Sequence, residues 1–418
     1  MTWQKTRPVL LSLFTVCVIL GLSTAVIAYG RGYRLDHKNN TLKPTGLVSA
    51  TSDPVGAQIL VDGTLKTATN NSFNVDPGWY TIAIRKEGFI PWQKKLRVQG
   101  EVVTRADAFL FPTSPSLSPL TTSGLLSPTL SPDGTKIAYF IVSDTPRDGM
   151  KKTGMWVLEL IDRPLGRNRD PKLVAELPQS FPFTTANMAW APDNTKILLT
   201  TGATATVYDA ASGNTLQQLN EATLPALLSD WQDETRDKER QKLAAFKQPI
   251  VDSATSSARI ISFSPDETKV LYEATASATL PLVSDPPLIG TNTTQEQRSI
   301  EKGKLYVYDS KEDKNYFLLD TKELPKPKTV PPTKPAPPAA NGSVVPVMWF
   351  PTSRHLILIG NGKIDVLEYD RTNWATLYSG PFVDGFIAPW PNGSRLVILT
   401  NLNPGASTLP NLYTVNLR

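Results

Sequence analysis

Two histidines, one cysteine and a set of regularly spaced acids are the groups in this 418-residue chain that could do chemistry. His37 and His355 lie far apart in sequence. His355 occupies a repeat position that other copies fill with Lys136, Lys196, Lys269 and Arg395, so it reads as a repeat variant rather than a general base. There is no G-x-S-x-G elbow to present a hydrolase nucleophile, and no phosphate-loop or zinc-ligand spacing occurs. Cys17 is alone and can build neither an intramolecular disulfide nor a cysteine metal site. Asp133, Asp193 and Asp266 recur in register, and two carboxylates about 5–10 Å apart would suffice for glycoside hydrolysis. Each of them also sits where a β-turn calls for Asp, and Thr352 and Asn392 replace them in the last two copies. The residues therefore point to a non-catalytic protein with no cofactor and no metal. An enzyme acting on glycan or peptide is the alternative.

Aromatic side chains offer binding instead. Trp190, Trp349 and Trp390 stand at the entrances to three copies and read as packing between repeats. Trp92 follows Pro91 and precedes Lys94 and Lys95. An exposed indole beside cations stacks on sugar rings and suits anionic ligands, so Trp92, Lys94 and Lys95 are the candidate ligand contacts. Lys326, Lys328 and Lys334, in the Pro-rich stretch ELPKPKTVPPTKPAPPAANGS, could touch an anionic wall polymer, although a solvated linker explains them more simply.

The elements that must position these residues are set by a repeat. LSPDGTKIAYF begins at Leu130, WAPDNTKILLT at Trp190, FSPDETKVLYE at Phe263, WFPTSRHLILI at Trp349 and PWPNGSRLVIL at Pro389. Proline presets the second position of a type I turn, Asp or Asn favours the third and Gly the fourth; an alternating apolar strand follows each turn. The closest pair of repeat prolines, Pro351 and Pro391, lie 40 residues apart, the length of a four-stranded propeller blade. A third strand follows in each copy: MWVLEL, ATVYDA, KLYVYD, KIDVLEYD and LYTVNL. A fourth follows in only four, as KLVAEL, TLQQL, NYFLLD and WATLYS. The last copy needs a partner for its open edge. The segment SPSLSPLTTS, Ser114 to Ser123, is the candidate. These repeats resemble the TolB and WD40-like propeller family, which implies the fold and, since propellers host many functions, no particular activity.

Upstream, the stretch from Pro8 to Gly30 carries no charged residue. At about 1.5 Å per residue it crosses the roughly 30 Å hydrocarbon core of a bilayer. Lys5 and Arg7 precede it, favouring a cytoplasmic N-terminus. A cleaved signal peptide is the rival, with Ala25 and Ala28 at permissible cleavage positions. Either way the rest of the chain lies outside the cytoplasm. Between this span and the repeats, alternating runs around Ile59, Tyr80 and Leu96, separated by Asp62-Gly63, Asp76-Pro77-Gly78 and Glu87-Gly88, predict a small antiparallel sandwich. Its PVGA, VDG and DPGWYTIAIRKEGFIPW resemble the PEGA domain, a short β module of surface proteins, with Val55 where the family motif has Glu. The resemblance implies a structural module and brings no active site.

The fold class expected is mainly β: a transmembrane helix at 8–30 behind a cytoplasmic tail 1–7, a linker 31–46, a PEGA-like antiparallel sandwich 47–112, and a five-bladed propeller 113–418. The propeller carries a helical insertion at 224–251, a loop at 276–302 and a Pro-rich loop at 323–343. The net charge of +5, with a sequence pI near 9.0, is mild and spread thinly, which argues against nucleic acid and is compatible with an anionic surface. The partners expected are the lipid bilayer through residues 8–30 and a protein or glycan of a bacterial cell envelope. A purely structural envelope spacer is the remaining alternative.

Overall fold

Each repeat folds as its turn chemistry dictates. The carbonyl of the residue before the proline accepts the N–H three positions on, as Gly134 N to Ser131 O at 2.8 Å and Gly393 N to Trp390 O at 2.7 Å. The fourth turn residue then takes a left-handed conformation in all five copies: Gly134, Asn194, Glu267, Ser353 and Gly393 have φ of 71°, 60°, 57°, 58° and 72°. A type I turn closed by a left-handed residue is a standard link between paired strands. The computed structural model describes residues 3–30, 32–36, 41–142, 152–162, 170–202, 204–286, 288–324, 346–360, 362–383, 385–404 and 408–418. The chain divides into two units, Met1–Leu110 with Ser284–Thr294, and Phe111–Val283 with Gln295–Arg418.

In the first unit, helix α1 runs from Trp3 to Gly30. It is long and apolar enough to cross a membrane over Leu11–Gly30, with a mean hydropathy of 2.3 and none of that window buried in the protein. Helix formation starts inside the expected tail because Gln4, Lys5 and Arg7 are good helix formers, although the apolar span begins later. Thr15 and Thr24 donate their hydroxyls to the carbonyls of Leu11 and Leu20, one turn back, so neither needs water. The expected linker contains a hairpin, Tyr33–Asp36 paired with Thr41–Pro44.

The module that follows has a three-stranded sheet, Asn71–Val75 beside Gly46–Asp53 beside Val103–Phe109, and a four-stranded one, Thr64–Ala68, Gln58–Val61, Gly78–Arg85 and Trp92–Val98. Val48, Ala50, Ile59, Ile82, Ile84 and Leu96 fill the space between them. Its expected antiparallel character needs correction, since Gly46–Asp53 and Val103–Phe109 pair in parallel, from Leu47↔Val103 to Asp53↔Phe109. Parallel neighbours need a long crossover, and the entire four-stranded sheet lies between these two strands in sequence.

In the second unit the described residues form five four-stranded antiparallel sheets, the blades of a β-propeller. Blade one comprises Leu126–Leu130, Lys136–Ile141, Gly154–Glu159 and Lys172–Glu176; blade two, Asn187–Trp190, Lys196–Thr201, Thr204–Asp209 and Thr215–Leu219. Blade three comprises Ala258–Phe263, Lys269–Ala274, Lys304–Asp309 and Lys314–Asp320; blade four, Val347–Trp349, His355–Gly360, Lys363–Glu368 and Ala375–Ser379. Blade five has Ile387–Pro389, Arg395–Thr400 and Asn411–Asn416, and its outer strand is Leu117–Pro119, borrowed from the start of the unit.

Apolar layers join blades one and two through Phe140, Val157, Met188 and Leu199, blades five and one through Tyr139, Leu158, Trp390 and Val397, and blades three and four through Leu271, Val307, Leu356 and Leu358. Between blades two and three lie helices α2, Leu224–Leu243, and α3, Gln248–Ser257. Leu224, Leu227, Leu228 and Trp231, one stripe at helical spacing, pack on Leu198, Val207 and Leu219 of blade two. Phe246 and Ile250 pack on Val270, Tyr272 and Tyr308 of blade three. The insertion thus ends at Ser257 rather than 251, and it is packed into the ring. The loop expected at 276–302 is pinched at its ends by pairing of Ala278–Thr279 with Ser299–Ile300. Of the Pro-rich loop, residues 325–343, with Lys326, Lys328 and Lys334, lie outside the described residues.

Candidate functional site

The expected contact set divides between two faces of one strand. Along Trp92–Val98 side chains alternate, and Trp92, Leu96 and Val98 are buried whereas Gln93, Lys95 and Arg97 are exposed. Trp92 retains only 4% of its surface and packs with Ile84 and Leu96 between the two sheets, so it offers no ring to a ligand. Lys94, half-buried, shares that parity; Lys95 alone of the three faces outward. The correction has a simple physical cause. Leu96 and Val98 fix which face is apolar, and a strand cannot turn Trp92 outward without turning them outward too.

The aromatic residue on the outer face is Trp79, 52% exposed. It stands opposite Arg97 in the register of Gly78–Arg85 against Trp92–Val98, with Thr81 opposite Lys95. The Lys95 ammonium lies 5.7 Å from the centre of the Trp79 ring. Arg85, on the same strand and of the same parity as Trp79, is exposed as well. The patch is held on both of its strands. The Asp62 carboxylate accepts the Thr81 N–H at 2.8 Å, and the Lys95 carbonyl accepts the Thr293 hydroxyl at 2.7 Å. Next to Trp79, the Tyr80 hydroxyl donates to the Asp76 carbonyl at 3.0 Å, and burial, reinforced by the charges of Asp76 and Asp62, pushes its pKa up. The result is an exposed surface with an indole, a paired ammonium and the Arg97 guanidinium, and with Arg85 six residues beyond Trp79 along its strand. Such a surface stacks on a sugar ring while attracting carboxylate or phosphate.

The propeller candidates are accounted for by structure. Asp133 and Asp266 accept from the hydroxyls of Ser131 and Ser264 and from the N–H groups of Thr135 and Thr268. Burial pushes Asp266 up, but the Ser264 and Thr268 hydroxyls and the Lys269 charge outweigh it and hold the carboxyl at about 2. Asp133 and Asp193 are lowered in the same way. Trp190 and Trp349 donate their indole N–H across to Thr129 O and Ser262 O of the preceding blade. Trp390 is buried beneath the Arg395 guanidinium. His355 is buried, with Nδ1 2.9 Å from the Thr352 hydroxyl and Phe111 edge-on at 5.3 Å. Among the described residues no group of three or more His, Cys, Asp or Glu is placed to hold a metal ion. A cavity of about 20 Å³ between α3 and blade three, lined by Phe246, Ile250, Tyr272 and Tyr308 among others, has room for about one water molecule and no substrate.

With that geometry in place, comparison with known proteins gives one match of direct bearing. Residues 45–113 match the PEGA domain family. The PEGA domain therefore covers both sheets of the module and all of the Trp79 face. No curated protein matches the chain. Among solved structures, a crystal structure of the mitotic checkpoint complex is similar at 10% identity over 74% of this chain and 96% of that chain, with a TM-score of 0.32. TolB from Acinetobacter baumannii is similar at 12% identity over 81% of this chain and 59% of its own, with a TM-score of 0.19. Scores this low add nothing to the fold read from the sheets themselves.

Proposed function

We propose that this chain is a non-catalytic binding or scaffold protein, anchored in a bacterial cell membrane by α1, with its N-terminus cytoplasmic and its PEGA and propeller units in the cell envelope. The PEGA face holds an anionic glycan of the envelope. The observation that carries this reading is the exposed Trp79 ring with Lys95 at 5.7 Å and Arg97 directly across the strand pair. It supplies stacking and charge on one rigid surface, the combination that an anionic polysaccharide recognises. The test is co-sedimentation of the full chain with isolated cell-wall polymer. Trp79→Ala and Lys95→Ala should each weaken binding about tenfold, the equivalent of about 1.4 kcal/mol. Unchanged binding in both variants would overturn the reading.

A protein partner is the second reading, and the topology favours one end of the propeller for it. In an antiparallel blade the turns between strands one and two and between three and four share one end. The other two sets of connections leave from the opposite end. The three longest connections, 220–257, 275–303 and 321–346, all leave from that opposite end, and in repeat proteins insertions gathered on one side commonly form the binding face. Crosslinking in intact cells, followed by identification of the attached molecules, separates a protein partner from a glycan.

A further inference from the structure

The segment Ser284–Thr294 leaves the sequence of blade three and belongs to the first unit. Its tip exposes two large apolar side chains, Leu288 at 50% and Ile289 at 72%. Beside it Val103 is 50% exposed. The loop is positioned rather than loose. Gly290 takes φ +76° and backs so closely onto Val102 that a Cβ there would lie 2.9 Å from the Val102 side chain, while Thr293 is tied to the Lys95 carbonyl.

This patch adjoins the point where α1 meets the module. Gly32 N donates to Tyr29 O, Thr45 N to Gly32 O at 2.9 Å, and Glu101 N to Thr45 O. The Tyr33 hydroxyl reaches the Glu101 carboxylate at 2.7 Å, and Leu47 N donates to Val102 O. One hydrogen-bonded cluster therefore links the last turn of α1 to Glu101 and Val102, and Gly290 rests on Val102. At the helix end Tyr29 is 67% exposed, with the Arg34 guanidinium 3.9 Å above its ring. Tyrosine paired with arginine at the end of an apolar helix is the composition of the bilayer interface, where the ring sits among headgroups and the cation snorkels to water.

We propose that Leu288, Ile289 and Val103 form a second membrane contact, seated in the lipid–water interface beside the exit of α1. The proposal rests on the reading of α1 as a membrane anchor. A single helix leaves a domain free to pivot about its exit. A second apolar contact a short distance away fixes tilt and rotation, as interfacial anchors do for membrane helices.

The test uses the full chain carrying Cys17→Ser, with one new cysteine at a time, Ile289→Cys, Leu20→Cys or Leu65→Cys, each labelled with an environment-sensitive fluorophore. The protein is reconstituted in vesicles of phosphatidylcholine and phosphatidylglycerol. Leu20 lies within the apolar span, and Leu65 is an exposed residue of the four-stranded sheet. The label at 289 should be quenched by lipids spin-labelled near the headgroup and shielded from aqueous iodide, that at 20 by deep spin labels, and that at 65 by iodide. If 289 behaves like 65 while 20 is quenched from within the bilayer, the anchor stands and the second contact is overturned. If 20 is also quenched only by iodide, both fall. A label at 289 shielded from iodide and from lipid quenchers alike would mean a protein surface covers the patch, which also overturns the proposal.

Discussion

Asp266 occupies a turn whose neighbours favour its ionised form. Ser264 and Thr268 donate hydroxyls to it, the Thr268 N–H does the same, and Lys269 and Lys311 bring positive charge. Its pKa, about 2, lies below the usual value near 3.9 for an unfolded chain. A depressed folded-state pKa stabilises the fold above the unfolded value, and that contribution is lost as pH falls from about 4 towards 2. Asp266→Asn keeps the turn's shape and removes only the charge. Because the side chain is 38% exposed, water screens much of the effect. Urea unfolding should show the variant less stable by about 1 kcal/mol at pH 6, with the difference shrinking by pH 3. A difference that does not change with pH would mean that shape, not charge, is what Asp266 contributes. The role of this residue was legible in SPDET itself, because the turn pattern is local.

At the scale of elements, the helical pair shows how an insertion becomes part of a repeat fold. Its first helix lies against blade two with one apolar stripe, and Lys238 and Lys242 near its end reach Pro192 O and Glu267, in the turns of blades two and three. The second helix buries Ile250, 4% exposed, against blade three. Ile250→Ala should lower stability by about 2–4 kcal/mol, as large-to-small changes in packed cores do. Asp237→Ala, on the exposed side of the first helix, should change it by less than about 0.5 kcal/mol. Equal small effects in thermal or urea unfolding would mean that the pair is only an appendage. Charge-rich helical spacing makes the helices readable, but the mixed charge along Asp230–Lys242 does not say which surface they pack on. Only the tertiary structure decides that the narrow stripe of the first helix packs on blade two and that Ile250 of the second is buried against blade three.

For the molecule as a whole, ring closure is the decisive feature. Leu117–Pro119 pairs with Tyr413–Val415, from Leu117↔Val415 to Pro119↔Tyr413. Buried side chains lock the junction. Asn411 Oδ1 accepts from the Thr121 hydroxyl at 3.0 Å and from Gly124 N at 2.9 Å, and Leu412 N donates to the Thr121 oxygen. Asn416 reaches the hydroxyls of Ser116 and Ser118, both at 3.0 Å. Deleting residues 116–122 exposes the edge of blade five and removes the tie between the two ends of the ring. It should destabilise the whole propeller by several kcal/mol, beyond the usual reach of a point change. Asn411→Ala, which leaves two buried donors unpaired, should lose about 1–3 kcal/mol. Both are read from the urea midpoint of the full chain, and an unchanged midpoint for the deletion would contradict closure by this strand.

The sequence by itself determined the repeats, their turns, the apolar helix and the strand that closes the ring. Each is either a local pattern or, for the closing strand, a deficit that one nearby extended segment could fill. It did not determine which tryptophan is exposed, although the parity of Leu96 and Val98 already placed Trp92 inward. Trp92 stands beside two lysines in sequence, yet the alternation of the strand turns it away from Lys95. The parallel pairing of Gly46–Asp53 with Val103–Phe109, the packing of the helical pair on blades two and three and the return of Ser284–Thr294 to the first unit were decided by tertiary structure alone. Each brings together segments far apart in sequence. Local propensity sets what a segment can be, but the free energy of burying its apolar side is realised only against a surface supplied from elsewhere in the chain.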